Sequence, residues 1–206
     1  MNLPNKLTMV RIFLVPVLVA CLMPEKVTSH ALTIMIARDL AILVFLAAVV
    51  TDYFDGKIAR RYDMVTNFGR LMDPLADKLI VTGAFVAFVG LDMFPAWFVI
   101  VILFREFIVT GLRTLGTSRG RVIQADRWGK HKTAWQMVAI FMALVFLALR
   151  DTLVYMGEWD RYWRGRLLDW WFHNVVLTIL IAICLVLTVL SGTLYVVRNW
   201  DLVRKE

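Results

Sequence analysis

The charged stretch that decides the fold is residues 51–77, which read TDYFDGKIARRYDMVTNFGRLMDPLAD. It lies in an apolar chain: 60% of the 206 residues are hydrophobic and the mean hydropathy is +0.71. Soluble domains contain about 45–50% apolar residues. Segments long and apolar enough to cross a bilayer cover roughly 7–23, 33–52, 78–93, 95–113, 132–149 and 174–197. The sequence predicts one all-α integral membrane domain over residues 1–206, with six transmembrane helices.

The distribution of basic residues predicts the orientation of this domain. With six spans, both termini lie on one side together with the segments that join helices two to three and four to five. Most of the 23 lysines and arginines lie on that side, while the opposite loops carry Lys26, Arg150, Arg161, Arg164 and Arg166. The positive-inside rule therefore predicts cytoplasmic termini and a cytoplasmic charged stretch. It also accounts for the net charge of +7 without a nucleic-acid partner.

The aspartates of the stretch are spaced as on helix faces. Asp52 and Asp55 are three residues apart and Asp73 and Asp77 are four apart, so each pair lies on one face if the segment is helical. Four carboxylates gathered at a membrane interface repel one another unless cations lie among them. Arginines could supply that charge. Divalent cations are the better candidates, and carboxylate oxygens suit magnesium, manganese or calcium.

Local sequence predicts where some of the helices begin and end. Asp73 followed by Pro74 is typical of an N-cap and first helical position, which leaves residues 61–72 as the connection. Residues 31–37 are predicted either as the start of the second span or as a separate interfacial helix. The segment 92–95 permits only a tight antiparallel pair, and the aromatic loop at 150–173 is typical of an interfacial belt.

The spacing of the whole stretch is D-x2-D-G-x2-A-R-x8-G-x3-D-x3-D. Its fixed positions are Asp52, Asp55, Gly56, Ala59, Arg60, Gly69, Asp73 and Asp77. From average composition, eight such matches have a probability on the order of 10⁻¹⁰ per starting position, which excludes coincidence. The chain resembles the CDP-alcohol phosphotransferase family, and no fixed position departs from the family pattern.

The resemblance implies a membrane transferase, usually a homodimer with six transmembrane helices, in which an alcohol displaces CMP from a CDP-linked substrate. It implies two divalent cations, Mg²⁺ or Mn²⁺, and a general base at Asp77. The metal ligands that it implies are Asp52, Asp55, Asp73 and Asp77. The CDP-binding residues that it implies are Asp52, Gly56, Ala59, Arg60, Gly69 and Asp73.

Further motifs narrow the resemblance to bacterial inner-membrane members of the family. These motifs are NLPNKLTMVRIFLVP at residues 2–16, REFI at 105–108, GLR at 111–113, GKHKT at 129–133 and QM at 136–137. The implied substrates are CDP-diacylglycerol and sn-glycerol 3-phosphate. An acceptor that bears a phosphate needs a cationic pocket, and the candidate residues are Arg113, Lys130, Lys132 and Arg119. Their other possible role is positive-inside anchoring.

Other functions stay open at this point. The same scaffold could use serine, inositol phosphate or phosphatidylglycerol as the acceptor. A divalent-cation transporter would explain the carboxylates but gives no reason for the fixed glycines, alanine and arginine. A basic scaffold for anionic lipid would need none of these residues.

Ionisable and polar residues inside two spans add further candidates. Arg105 and Glu106 are adjacent, so we do not expect them to pair with each other; we expect a structural ion pair for Glu106 and keep Arg105 as a possible site residue. Asn5, Thr8 and Arg11 share one helix face. That face is either solvated at the membrane surface or lines a site.

Overall fold

The computed structural model describes the backbone of residues 3–61, 67–119, 127–159 and 163–201. Within these ranges, the side chains of residues 3–5, 52–61, 67–71, 73–74, 77, 127 and 163–165 are outside the description. The helices are α1 (Leu3–Leu22), α2 (Ala31–Arg61), α3 (Asn67–Gly90), α4 (Ala96–Ser118), α5 (Arg127–Tyr155), α6 (Trp163–Trp171) and α7 (Thr178–Arg198). A 3₁₀ turn covers Pro24–Lys26 and a π-helical segment, Phe172–Leu177, joins α6 to α7. The described residues contain no strand, which confirms the all-α prediction.

Three helical segments in the described part of the chain are long and apolar enough to cross a membrane. They are Ala31–Thr51, Trp128–Tyr155 and Arg166–Arg198, and the apolar part of α3, Lys78–Gly90, is shorter. Apolar side chains remain exposed on their outer faces, as expected of helices that face lipid; Leu43, Val138 and Val186 are examples.

Helix α1 packs against α2 and α3. Gly83 allows the close approach of α3, because a Cβ there would lie 2.9 Å from Val15 Cγ1. Gly90 similarly lies against Met23, so α1 and α3 run parallel. Their register brings the N-terminal turns of α1 level with the first turns of α3.

Four phenylalanines fix the hairpin between α3 and α4. Phe85, Phe88, Phe94 and Phe98 pack with ring centroids 5.3–5.7 Å apart. In the turn, Met93 N donates to Phe88 O at 3.0 Å and Asp92 adopts a φ of 56°, a region that aspartate tolerates better than most residues. The predicted tight antiparallel pair is confirmed.

Two helix boundaries differ from the sequence prediction. Helix α3 begins at Asn67, so Asp73 is not an N-cap and the predicted connection at 61–72 is wrong. Helix α2 runs without a break from Ala31 to Arg61, which excludes a separate interfacial helix at 31–37. Hydropathy marks the part of a helix in hydrocarbon, whereas these helices extend beyond it.

The segment 150–173 is largely helical, since α5 continues to Tyr155 and α6 covers Trp163–Trp171. The π-helical segment after α6 presents Phe172 to Phe146, and their parallel rings lie 3.7 Å apart. Trp170 and Trp171 are exposed. The interfacial belt stays a prediction.

Candidate active site

The backbone places the four motif aspartates on two helices. Asp52 and Asp55 lie on α2, and Asp73 and Asp77 lie on α3. The helical spacing predicted for each pair is therefore confirmed. The side chains of these four residues, and of Gly56, Ala59, Arg60 and Gly69, lie outside the described residues. Among the side chains that the structure describes, no group of three or more His, Cys, Asp or Glu could hold a metal.

A carboxylate with three cations lies on the same side of the bundle as the motif. Glu106 of α4 forms an ion pair with Lys132 of α5, and its Oε1 accepts from Arg105 Nη1 at 3.2 Å. Its Oε2 lies 3.9 Å from Lys78 Nζ on α3. We call Glu106, Lys132, Arg105 and Lys78 the inner cluster. With all four groups ionised, its net charge is +2.

The inner cluster borders a cavity of about 210 Å³ between α3, α4 and α5. The cavity is lined by Lys78, Val81, Thr82, Ile102, Glu106, Lys132, Thr133 and Gln136. Lys78 also donates to Thr110 Oγ1, and that hydroxyl donates to the Glu106 carbonyl at 2.7 Å. The cavity wall thus combines positive charge and neutral polar groups with apolar side chains, an environment that suits a small anion.

The four residues predicted to bind the acceptor phosphate differ in their exposure. Lys132 is 3% exposed and lines the cavity. Arg113, Lys130 and Arg119 are exposed at the end of α4 and the start of α5. The structure thus brings Lys132 together with Glu106, whereas the other three residues are exposed to solvent at the same end of the bundle.

Arg105 pairs with Glu106, so the prediction that these neighbours would not pair is wrong. Gly192 makes the arrangement possible, since a Cβ there would lie 2.9 Å from Arg105 Cγ. A Cβ on Gly129 would lie 3.5 Å from Arg105 Nη2. The stem of Arg105 therefore packs on α7 while its guanidinium reaches α5 and bends back to the adjacent carboxylate. The ion pairing predicted for Glu106 is confirmed.

Thr8 and Arg11 of α1 are buried, at 0% and 1% exposure. The solvated alternative for their helix face is therefore wrong for these two residues; the side chain of Asn5 lies outside the described part of the chain. Since α1 and α3 run in parallel register, Thr8 and Arg11 lie near the level of Asp73 and Asp77. A buried arginine thus lies at the motif end of the bundle.

Sequence reasoning did not identify Lys78 or Gln136 as residues of the cavity. Lys78 was counted only among the basic residues of one side, and Gln136 only as part of a motif. A polar side chain within an apolar span is a signal for a functional position, and Gln136 is four residues after Lys132. The partners of Lys78 and Lys132 are 28 and 26 residues distant in sequence, so spacing alone could not reveal them.

Comparison with known proteins places the chain among lipid-synthesising enzymes. The family model described as CDP-alcohol phosphatidyltransferase matches residues 1–182. A Bacillus subtilis CDP-diacylglycerol--glycerol-3-phosphate 3-phosphatidyltransferase is 36% identical over 204 residues, covering 97% of this chain and 96% of the relative. A Mycoplasma pneumoniae protein of the same name is 41% identical, covering 73% and 72%. A Rickettsia felis protein of that name is 36% identical, covering 70% and 75%.

Proposed function

This chain belongs to the CDP-alcohol phosphatidyltransferase family, and on that premise we propose that it transfers the phosphatidyl group of CDP-diacylglycerol to sn-glycerol 3-phosphate. The products are phosphatidylglycerol phosphate and CMP. A relative named for this reaction covers 97% of the chain. The structural observation that supports the acceptor most strongly is the cavity beside the inner cluster.

The cavity lies along the helix face that carries Asp77. Asp77 and Val81 are four residues apart on α3 and so share a face, and Val81 lines the cavity. An acceptor in the cavity would have its phosphate near Lys132 and Lys78 and its reactive hydroxyl toward Asp77. The excess positive charge of the inner cluster complements a phosphate dianion.

The motif residues suit divalent cations by their chemistry. Asp52 and Asp55 on α2 and Asp73 and Asp77 on α3 offer hard oxygen donors at helical spacing, as Mg²⁺ and Mn²⁺ prefer. Bound there, two cations would neutralise the pyrophosphate of CDP-diacylglycerol and the departing CMP. We assign the CDP headgroup to the same stretch, with Gly56, Ala59, Arg60 and Gly69.

We assign the general base to the Asp77 carboxylate. It takes the proton of the acceptor hydroxyl as the new oxygen–phosphorus bond forms, and the pyrophosphate bond breaks with its electron pair leaving on CMP. Buried Arg11 lies at the same level and adds positive charge near the reacting phosphates. Arg11 is 1% exposed, and exclusion of water strengthens its electrostatic contacts.

We further propose six transmembrane spans in a bacterial inner membrane, as a homodimer with the motif and both termini cytoplasmic. Helices α1 to α5 and the continuous α6–α7 make six crossings, and the basic residues support the orientation. The exposed Arg113, Arg119 and Lys130 would lie at the cytoplasmic surface. They would attract the anionic acceptor toward the cavity.

The acceptor assignment is tested by CMP release. Purified protein in detergent receives CDP-diacylglycerol, Mg²⁺ or Mn²⁺, and a single alcohol: sn-glycerol 3-phosphate, serine, inositol phosphate or phosphatidylglycerol. We expect CMP only with sn-glycerol 3-phosphate. Release with serine and none with glycerol 3-phosphate would contradict the acceptor while leaving the family unchanged.

The role of Asp77 is tested by Asp77→Asn. Because the amide cannot take a proton, we expect turnover to fall at least about 100-fold, while CDP-diacylglycerol binding falls much less because the amide oxygen can still coordinate a cation. Asp52→Ala serves as the comparison and should lose both binding and turnover. Equal loss of binding and turnover in Asp77→Asn would remove the base assignment.

A further inference from the structure

The side chain of Gln136 lies in the wall of the cavity beside the inner cluster, and its amide nitrogen is buried. Gln136 is 2% exposed, and its Nε2 has no hydrogen-bond partner among the described residues. A buried donor without an acceptor is costly. Its presence in an apolar span is explained if a bound molecule supplies the acceptor.

Gln136 is positioned beside the cations of the cavity. It is four residues after Lys132 on α5, so the two side chains share one helix face about 6 Å apart along the axis. Both line the same cavity with Glu106 and Lys78. An acceptor whose phosphate lies on the cations has its carbon-borne hydroxyls close to this amide.

Four of the five other polar side chains that line the cavity have partners within the protein. The Lys132 and Lys78 ammoniums face Glu106, and the Thr133 hydroxyl donates to Gly129 O at 3.2 Å. Glu106 is an acceptor paired with cations. The remaining lining hydroxyl, Thr82, lies on α3 and provides a natural control.

We propose that Gln136 determines acceptor specificity by donating a hydrogen bond from its side-chain amide to the non-reacting hydroxyl of the polyol phosphate. This inference rests on the proposed function and names the substrate hydroxyl that the protein recognises. The cations bind the phosphate, and the amide distinguishes a polyol from a simple hydroxyalkyl phosphate. A site built to hydrogen-bond a hydroxyl discriminates strongly against an analogue that lacks it.

The experiment compares kcat/KM for sn-glycerol 3-phosphate and for 3-hydroxypropyl phosphate, which lacks the middle hydroxyl. We expect the wild-type protein to prefer glycerol 3-phosphate by at least about tenfold. Gln136→Met keeps an unbranched side chain of similar length but has no amide, and it should bring the ratio close to one. Thr82→Val should keep the wild-type ratio. The KM for CDP-diacylglycerol should be unchanged in both variants.

Three results would overturn the inference: equal use of the two acceptors by the wild type, a wild-type ratio in Gln136→Met, or loss of the ratio in Thr82→Val. Should Gln136→Met fail to fold, Gln136→Asn, with its amide withdrawn by one methylene, should lower the ratio, and an unchanged ratio there would overturn it equally. No CMP release with either acceptor by folded wild-type protein would instead contradict the proposed function.

Discussion

Two buried ion clusters lie at opposite ends of the bundle, and their charge balance differs. We call Arg38, Glu25 and Asp151 the outer cluster, in which Arg38 of α2 is 4% exposed. Its Nη2 lies 2.8 Å from Glu25 Oε2 and its Nε lies 3.2 Å from Asp151 Oδ2. This cation links α2 to the 3₁₀ turn and to the end of α5.

The inner cluster reverses this ratio of charges. Glu106 is one carboxylate among three cations, and the cluster borders a cavity. The outer cluster has one cation with two carboxylates, so it has no excess positive charge to offer an anion. We therefore assign to the outer cluster the role of holding helices together, and to the inner cluster also the acceptor binding proposed above.

Arg38→Met should have the largest effect on stability. It leaves Glu25 and the partly buried Asp151 without their cation, and removing one partner of a buried pair costs about 3–5 kcal/mol. The free energy of unfolding in mixed micelles measures this loss. The KM values for both substrates should stay at the wild-type level. A rise in the acceptor KM alone would contradict the assignment of acceptor binding to the inner cluster only.

Lys78→Met should change the acceptor KM more than the stability. The Lys78 side chain is 36% exposed and its contact with Glu106 is 3.9 Å long, so its contribution to the free energy of unfolding is at most about 1 kcal/mol. One charge near 4 Å from a phosphate is worth roughly 1 kcal/mol in water, which corresponds to about fivefold in KM. Lys26→Met, at the opposite end, is the matched control. An acceptor KM within experimental error of wild type would remove Lys78 from the acceptor site.

Glu25→Gln should have the smallest effect. The Glu25 side chain is 36% exposed, and Arg38 keeps Asp151 as a partner. We expect the free energy of unfolding to fall by no more than about 1 kcal/mol, with unchanged kinetics. A loss as large as that of Arg38→Met would mean that Glu25 carries most of the stabilisation in the outer cluster.

Local patterns in the sequence predicted much of the fold. Apolar runs located the helices, and Pro95 with its neighbours predicted the tight hairpin between α3 and α4. The start of α3 was missed because Asn67, Gly69 and Arg70 interrupt the apolar residues of the segment 67–72, and hydropathy does not detect helix outside hydrocarbon. The pattern at Asp73-Pro74 is typical of a helix start, yet proline is also tolerated within a helix where neighbouring elements satisfy the freed backbone groups.

For the candidate site, too, local features could be predicted from the sequence and features that depend on packing could not. The motif is contiguous, so its residues and their helical spacing could be predicted from the sequence. The inner cavity could not, because it combines side chains from α3, α4 and α5 whose contacts depend on packing. Gly192 illustrates the point: its missing side chain lets Arg105 approach α7 and turn to Glu106, a geometry that adjacent positions on an isolated helix do not suggest.

Lys132→Met tests most directly whether the inner cavity binds the acceptor. The Lys132 ammonium carries three donors and is paired with Glu106, which retains Arg105 and Lys78 as partners in the variant. The KM values for sn-glycerol 3-phosphate and CDP-diacylglycerol are measured side by side, with Arg38→Met as the comparison. We predict that the acceptor KM rises at least about tenfold, the loss of a hydrogen bond to a charged group, while the CDP-diacylglycerol KM does not change. Unchanged KM values, or an equal rise in both, would contradict the assignment.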